Sequence, residues 1–150
     1  MVDRLESLRQ MELFLDLSDD DLSMVEPLCR EAHYRAGDVI LRIGDPVDDL
    51  FLIRQGSVQV LAKAPVDAPY PESPDAVIVA LGKGQTFGEM GLVDRGARSA
   101  TVQAQSDLDV YMIDCVEFLD ICDRHPRLGF QVMRNIAIDL SFKLRHSNLV

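Results

Sequence analysis

The spacing of apolar residues predicts that the chain begins with a helix. Leu5, Leu8 and Met11 recur at helical intervals, and Phe14 and Leu17 continue the series. This periodicity is typical of a helix with one buried face. We therefore expect the first stretch of the chain to be helical.

A second helix is predicted to follow Ser18. Serine is a favoured N-cap, and the next three residues are aspartates, which the positive end of the helix dipole stabilises. We expect this helix to continue to about Arg30. Pro27 lies late in it and can shorten or bend it, because proline lacks the backbone N–H that a helix interior uses.

From His33 onward the pattern changes to short apolar runs separated by turn residues. Turn signals lie at residues 36–38 and 44–46. Gln55, Gly56 and Ser57 lie between two apolar runs and predict a hairpin there. Strands this short and this closely spaced favour a sandwich or a barrel. The runs predicted to form strands begin near His33 and then cover residues 39–41, 50–53, 58–61, 77–81, 99–104 and 108–113.

Residues 63–75 break this series of strands. They contain Pro65, Pro69, Pro71 and Pro74, and proline is excluded from central strands. We expect a mobile surface loop between two strands, with a domain linker as the alternative. The pattern assigns no function to this loop.

Two helices are predicted to end the chain. Asp114 can cap a helix over residues 115–124, and His125 and Pro126 separate it from a longer helix over about 127–146. Its apolar residues at i, i+4 spacing can face the core or pair with a second copy in a homodimer. They are Leu128, Val132, Ile136, Leu140 and Leu144.

The order of elements predicts one domain over residues 1–150, with helical ends at about 1–31 and 115–147 around a β unit at about 32–114. A chain of 150 residues, 47% apolar and 27% charged, can bury a core of its own. No apolar run approaches a membrane span of roughly 20 residues, and the N-terminus lacks the apolar segment of a signal peptide. We therefore expect a cytoplasmic domain that does not insert into membranes.

Charge and cysteine content exclude several classes of function. The net charge is −10, and the basic residues are scattered, so direct binding to nucleic acid is not expected. Any phosphate should be small and held in a local pocket. Cys29, Cys115 and Cys122 form no CxxC pair and do not converge with the three histidines, so we expect buried thiols and no metal site.

Candidate binding chemistry is concentrated in residues 82–102. Gly88, Glu89, Met90, Gly91 and Leu92 can form one helical turn whose free N–H groups point outwards, an arrangement that suits an anion. Each glycine on its own is equally consistent with a tight turn.

The residues that follow this turn add side chains suited to a phosphate. Arg98 can bind a phosphate in bidentate fashion, Ser99 adds a hydroxyl, and Ala100 leaves its backbone N–H accessible. Glu89 needs hydrogen bonds from ligand hydroxyls or from Arg98, and an ordinary surface salt bridge between these two residues is the alternative. Together they predict a pocket for a phosphate and a neighbouring sugar hydroxyl.

Two stretches of sequence resemble a known family. They are FGEMGL followed by RSATV, at residues 87–92 and 98–102, and YRAGDVILRIGDPVDDLFLIRQGSV, at residues 34–58. The first resembles the phosphate-binding cassette of the cyclic nucleotide-binding domain family, which includes the ligand domain of bacterial catabolite activator proteins and the regulatory subunits of protein kinase A. The similarity extends from about Phe14 to Arg145. It implies a mainly β fold with flanking helices (α+β): an eight-stranded antiparallel jelly-roll β-roll, or double-stranded β-helix, with N-terminal helices and two C-terminal helices.

The resemblance also implies roles for single residues. Glu89 would bind the ribose 2′-hydroxyl and Arg98 the cyclic phosphate, while the Ser99 hydroxyl and backbone groups near Gly88, Met90, Gly91 and Ala100 would complete the site. Ser99 resembles the bacterial activators and favours cAMP as the regulatory ligand, although its hydroxyl could also meet the guanine amino group of cGMP. Regulatory subunits carry a small apolar residue at that position.

The expected activity is ligand sensing without catalysis and without a cofactor, because no nucleophile–base–orienter pattern is present. Leu140, Lys143 and Leu144 are candidates for a lid that closes over the purine. Val79, Leu81 and Phe87 either line the pocket or form the core behind it, and the core interpretation is favoured.

The output of such a sensor is expected to be a regulated domain or protein outside this chain. Two alternatives remain open. The chain could be the ligand domain of a catabolite-activator-type transcription factor whose DNA-binding domain is absent from it. It could also be a degenerate interaction module that no longer binds a ligand.

Overall fold

The computed structural model describes residues 3–46, 49–62, 76–93, 98 and 100–146. The helices are α1 (Arg4–Arg9), α2 (Asp19–Val25), α3 (Met90–Val93), α4 (Cys115–Arg124) and α5 (Pro126–Arg145). The strands are β1 (Arg30–Tyr34), β2 (Val39–Leu41), β3 (Asp49–Gln55), β4 (Val58–Ala62), β5 (Ala76–Leu81), β6 (Thr86–Phe87), β7 (Thr101–Ala104) and β8 (Leu108–Asp114). The proline-rich stretch 63–75 lies outside the described residues, so the loop expected there stays a prediction.

The strands form two antiparallel sheets of four strands each. Their orders are β1-β8-β3-β6 and β2-β7-β4-β5. Eight antiparallel strands with helices at both chain ends confirm the expected β-roll. The apolar pattern did not predict β6, because a strand of two residues is too short to show periodicity.

The hairpin predicted around Gly56 is wrong. β3 pairs with β8 and β6, whereas β4 pairs with β5 and β7, so residues 55–57 carry the chain from one sheet to the other. Hydrogen bonds to the β7–β8 connection hold this crossing in place: Ser57 N donates to Ser106 Oγ and Gln105 N donates to Ser57 O. A glycine turn predicts a change of direction but does not decide which strand is paired next.

The N-terminal helices are shorter than their apolar periodicity predicts. α1 ends at Arg9, Met11 is extended, and a 3₁₀ turn follows at Glu12–Phe14. The backbone breaks here because Glu12 N donates to Gly84 O, a contact with the β-roll that a continuous helix could not make. Leu8 and Phe14 are still buried, on either side of the break.

The predicted cap of α2 is confirmed, and its end is earlier than expected. The Ser18 hydroxyl accepts from Asp21 N while the Asp21 carboxylate accepts from Ser18 N, which forms a capping box. The helix stops at Val25, and Pro27 lies in a 3₁₀ turn at Glu26–Leu28. β1 then begins at Arg30, three residues before the strand predicted from His33.

Two apolar clusters hold the layers together. Along β3, Leu50 and Leu52 face the helices, whereas Phe51 and Ile53 face the second sheet. Both faces of this strand are therefore buried, which explains its unbroken apolar run. The first cluster places α4 and α5 against the outer face of the β1-β8-β3-β6 sheet.

The apolar stripe of α5 faces this core over most of its length. Leu128, Val132 and Ile136 are buried and Leu140 is half-buried, but Leu144 is 50% exposed. The stripe therefore covers the core and is not available for pairing with a second copy. Asn135 also anchors the helix, since its Nδ2 donates to Leu13 O and Leu15 O at 2.8 and 2.9 Å.

The three thiols are buried, as predicted. Burial raises the pKa of Cys29 to about 12 and that of Cys122 to about 11, so both remain protonated and unreactive at neutral pH. Among the described residues, no group of histidine, cysteine and acidic side chains is arranged to hold a metal ion. No helix in the described ranges combines the length and apolarity that a membrane crossing requires.

Candidate ligand site

Arg98 points into the protein and is fixed at both its backbone and its side chain. It is only 8% exposed. Nη2 donates to Asp49 O at 2.7 Å, and Nη1 donates to Gly88 O at 3.3 Å. Its backbone N–H donates to Asp45 O, and its carbonyl accepts from Gly44 N. The guanidinium is therefore held by the backbone of β3 and by the carbonyl of Gly88.

Gly88 makes this arrangement possible. Its φ is +82°, a conformation that side-chain-bearing residues rarely adopt. A Cβ on it would lie 2.8 Å from Asp49 O and 2.9 Å from Arg98 Nη1. The glycine is required both for the turn and for the position of the guanidinium.

Arg98 lines a cavity of about 270 Å³. Among the other described lining residues, six are apolar or aromatic and two are aspartates. One of them, Asp49, is already paired with Arg30 at 2.5 Å. A cavity that combines apolar and aromatic side chains with, among the described lining residues, one buried cation suits a small anionic ligand that also has an apolar part. The other lining residues are Tyr34, Ile40, Leu41, Asp45, Pro46, Asp49, Phe51 and Met112.

Glu89 is paired with Lys143 of the C-terminal helix, a partner that was not predicted from the sequence. Its side chain is buried, and Oε1 accepts from Lys143 Nζ at 2.5 Å. The same ammonium donates to Thr86 O at 2.6 Å and lies 2.9 Å from Asp139 Oδ2. Glu89 is not among the residues that line the Arg98 cavity. Gly88 connects the two predicted ligand groups, since it precedes Glu89 and its carbonyl accepts from Arg98.

Glu89, Lys143 and Asp139 form a charged cluster in which neighbouring charges shift the pKa values of Glu89 and Lys143. Burial raises the pKa of Glu89, and Lys143 opposes that shift while Asp139 adds to it. Burial by itself lowers the pKa of Lys143, but the two carboxylates outweigh it and raise the pKa. The ammonium therefore stays charged and keeps Glu89 a better acceptor than burial alone would allow.

The helical turn at α3 differs from the expected set of free N–H donors. Gly91 N donates to Gly88 O and Leu92 N donates to Glu89 O, so these two groups close the turn. Met90 has a half-exposed side chain and Ala100 is partly buried. Ser99 lies outside the described residues, and the role expected for its hydroxyl stays a prediction.

The other candidate lining residues lie in the core. Leu81 and Phe87 are buried between the sheets, and Val79 packs against the same cluster. The Phe87 ring stacks on Phe51 at a centroid distance of 4.7 Å and an interplanar angle of 5°. Because Phe51 lines the cavity, Phe87 supports the cavity wall from behind.

The three candidate lid residues point in different directions. Leu140 packs into the helix core, Leu144 is exposed, and Lys143 reaches Glu89.

Two residues that hold the candidate ligand groups in place were not predicted from the sequence. Asp49 acts through its carbonyl, which leaves no sequence signal, whereas Asp139 lies four residues before Lys143 and could have been found as an i, i+4 pair.

Comparisons with known proteins identify the family of this chain. The profile of the cyclic nucleotide-binding domain matches residues 31–125. Glutaminase 1 of Bradyrhizobium diazoefficiens is 34% identical over 142 residues, which are 94% of this chain and 21% of that protein. This chain thus spans about a fifth of the length of that curated relative.

Solved structures show the same fold. The Thermus thermophilus catabolite activator protein superposes with a TM-score of 0.73 at 27% identity, covering 89% of this chain and 58% of that one. The regulatory domain of Toxoplasma gondii PKA, crystallised with cAMP, superposes with a TM-score of 0.68 at 26% identity, covering 79% of this chain and 42% of that one. With its β-roll, its buried Arg98 and the profile match across most of its length, this chain belongs to the cyclic nucleotide-binding domain family.

Proposed function

We propose that this domain is a sensor that binds cAMP and reports its capture through the C-terminal helices. The observation that supports this most directly is the buried Arg98 guanidinium on a cavity that is also lined by apolar and aromatic side chains. In an acidic protein, such a site attracts a phosphate only locally. Arg98 binds the cyclic phosphate, Glu89 binds the ribose 2′-hydroxyl, and Ser99 with backbone groups near Gly88, Met90, Gly91 and Ala100 completes the site.

The preference for cAMP over cGMP is part of this proposal. It is supported by the resemblance of Ser99 to the bacterial activators and by the similar PKA regulatory domain that was crystallised with cAMP. No reaction of the ligand is part of this proposal. Binding alone is enough to shift an equilibrium between two states of the domain. The two alternatives, a transcription-factor ligand domain and a module without ligand, gain no separate support from the described residues.

Calorimetric titration with cAMP and cGMP tests the site. Arg98→Ala is expected to weaken cAMP binding by about 10- to 150-fold, the effect of losing a hydrogen bond to a charged group worth about 1.5–3 kcal/mol. Arg127→Ala removes the same charge from an exposed position and should leave affinity unchanged. Equal binding by the native chain and Arg98→Ala would show that the phosphate site is misassigned.

The partner regulated by this domain is proposed to lie in a longer protein or in another chain, since this chain matches only 21% of the length of the glutaminase that it resembles. A homodimer through α5 is also part of the proposal. Because the i, i+4 stripe faces the core, the pairing surface is on the opposite side, where Phe130 is 69% exposed and Ile138 57%.

A double substitution tests the dimer. Phe130→Asp with Ile138→Asp is expected to convert a dimer into a monomer in sedimentation equilibrium, because it places two charges in an apolar contact. Val116→Asp, on an exposed position of α4, is the control and should not change the mass. A native chain that is monomeric at high micromolar concentration contradicts the proposal.

A further inference from the structure

Lys143 joins the last helix to the ligand-binding segment. It projects from α5, and its ammonium contacts the carbonyl of Thr86 in β6 and the carboxylates of Glu89 and Asp139. The ammonium donates to Thr86 O and to Glu89 Oε1, and Asp139 Oδ2 lies 2.9 Å away as an ion-pair partner. Its side chain is only 15% exposed. The contacts of the ammonium with these oxygens fix the position of the Lys143 side chain, unlike that of a surface lysine that meets a carboxylate by chance.

We propose that Lys143 is a positioning residue that orients Glu89 toward the ligand hydroxyl and thereby couples ligand binding to α5. The inference rests on the proposed function, in which Glu89 accepts from the ribose. A carboxylate can accept several hydrogen bonds, so Lys143 and a ligand hydroxyl can share Glu89. Lys143 therefore acts through the sugar end of the site and does not cover the purine.

Without the ammonium, Glu89 would lose its function as an acceptor. Glu89 and Asp139 are both buried, and two neighbouring buried carboxylates without a cation cannot both stay ionised. Once Glu89 takes up a proton or turns away, it no longer offers a fixed charged acceptor. Charged acceptors form the stronger hydrogen bonds, so the contribution of the ribose hydroxyl is lost.

The same contact gives α5 a direct link to the ligand. Lys143 is near the end of the helix, whose earlier turns are fixed by Asn135 and by the apolar stripe. A ligand that holds Glu89 in place also favours the docked position of the last turns of α5. By thermodynamic reciprocity, a partner that pulls those turns away weakens ligand binding by the same factor.

The test compares two ligands that differ only at the hydroxyl. Lys143→Met is expected to weaken cAMP binding about tenfold, roughly the effect of one charge-assisted hydrogen bond, and to leave binding of 2′-deoxy-cAMP unchanged. Arg145→Met removes a charge from an exposed position two residues away and should affect neither ligand. Lys143→Arg, which keeps the charge, should recover part of the preference for cAMP.

A second measurement follows the helix itself. In the native chain, cAMP should slow amide hydrogen exchange in the last turn of α5, and in Lys143→Met this protection should be absent. Lys143→Gln removes the charge but keeps a polar side chain with N–H donors, and it serves for both measurements if the methionine variant does not fold. A circular dichroism melt establishes folding for each variant.

The outcomes separate this inference from the proposed function. If Lys143→Met binds both nucleotides like the native chain, or weakens both equally, Lys143 does not act through Glu89 and the inference is wrong. Equal binding of cAMP by the native chain and Arg98→Ala instead contradicts the phosphate site. If the native chain binds no nucleotide and Lys143→Met binds none either, both are rejected.

Discussion

Replacing Gly88 with alanine is expected to reduce cAMP affinity by more than about 150-fold, the upper range for losing one hydrogen bond to a charged group. The new Cβ would lie 2.8 Å from Asp49 O and 2.9 Å from Arg98 Nη1. The side chain of Arg98 can move away, but the backbone of Asp49 cannot do so without disturbing β3. The variant therefore loses the guanidinium position and the turn before Glu89 together.

Gly37→Ala is the matched control for this substitution. Gly37 has a similar backbone conformation, with φ +93°, but a Cβ there would have nothing within 4 Å. Both variants bear the cost of a left-handed alanine, about 1–2 kcal/mol. Only Gly88→Ala should affect the ligand, and urea denaturation with calorimetry separates the two effects. Similar cAMP affinities for the two variants would show that the crowding at Gly88 is not functional.

Gly56→Ala is expected to have the largest effect on stability, about 2–5 kcal/mol. Its φ is +95°, and a Cβ would lie 2.2 Å from the carbonyl oxygen of Asp107, a backbone atom of the β7–β8 connection. To relieve this contact, the segment between β3 and β4 has to move away from the β7–β8 connection. A domain of this size would lose about 2–4 °C in Tm for each kcal/mol.

Gly37→Ala controls for the backbone term alone. Gly37 has φ +93°, and a Cβ on it would meet no other atom within 4 Å, so only the left-handed cost of about 1–2 kcal/mol applies. Thermal and urea unfolding should show a clearly larger loss for Gly56→Ala. Equal losses would mean that the crossing can relax and that the close approach to Asp107 is not a constraint.

The strands and the C-terminal helices could be predicted because their signals are local. The bounds of α4 agree with the prediction, since Asp114 caps the helix and His125 with Pro126 end it. The buried position of Phe87 also follows from its apolar character. The pairing of β3 and β4 could not be predicted, because the choice of sheet depends on contacts with residues about fifty positions away, such as that of Ser57 with Ser106.

In the candidate site, too, the residues could be predicted but their contacts could not. Residue types indicated Glu89 and Arg98 as ligand groups, but their partners were not predictable. Arg98 is held by the carbonyl of Asp49, and every residue type carries a carbonyl. Lys143 was a candidate for the lid, and the contact that it actually makes, with Glu89, joins residues 54 positions apart.

By itself, the sequence indicated the family, seven of the eight described strands, the helical ends and the candidate residues for a phosphate and a sugar hydroxyl. These depend on side-chain chemistry and on short-range periodicity, and both can be read from residues that are close together in the sequence. The tertiary structure alone decided the pairing of strands, the end of α1 at Arg9 and the partner of Glu89. Each of these features depends on a hydrogen bond between segments that are distant in sequence, because buried polar groups need partners and only the folded chain brings those segments together.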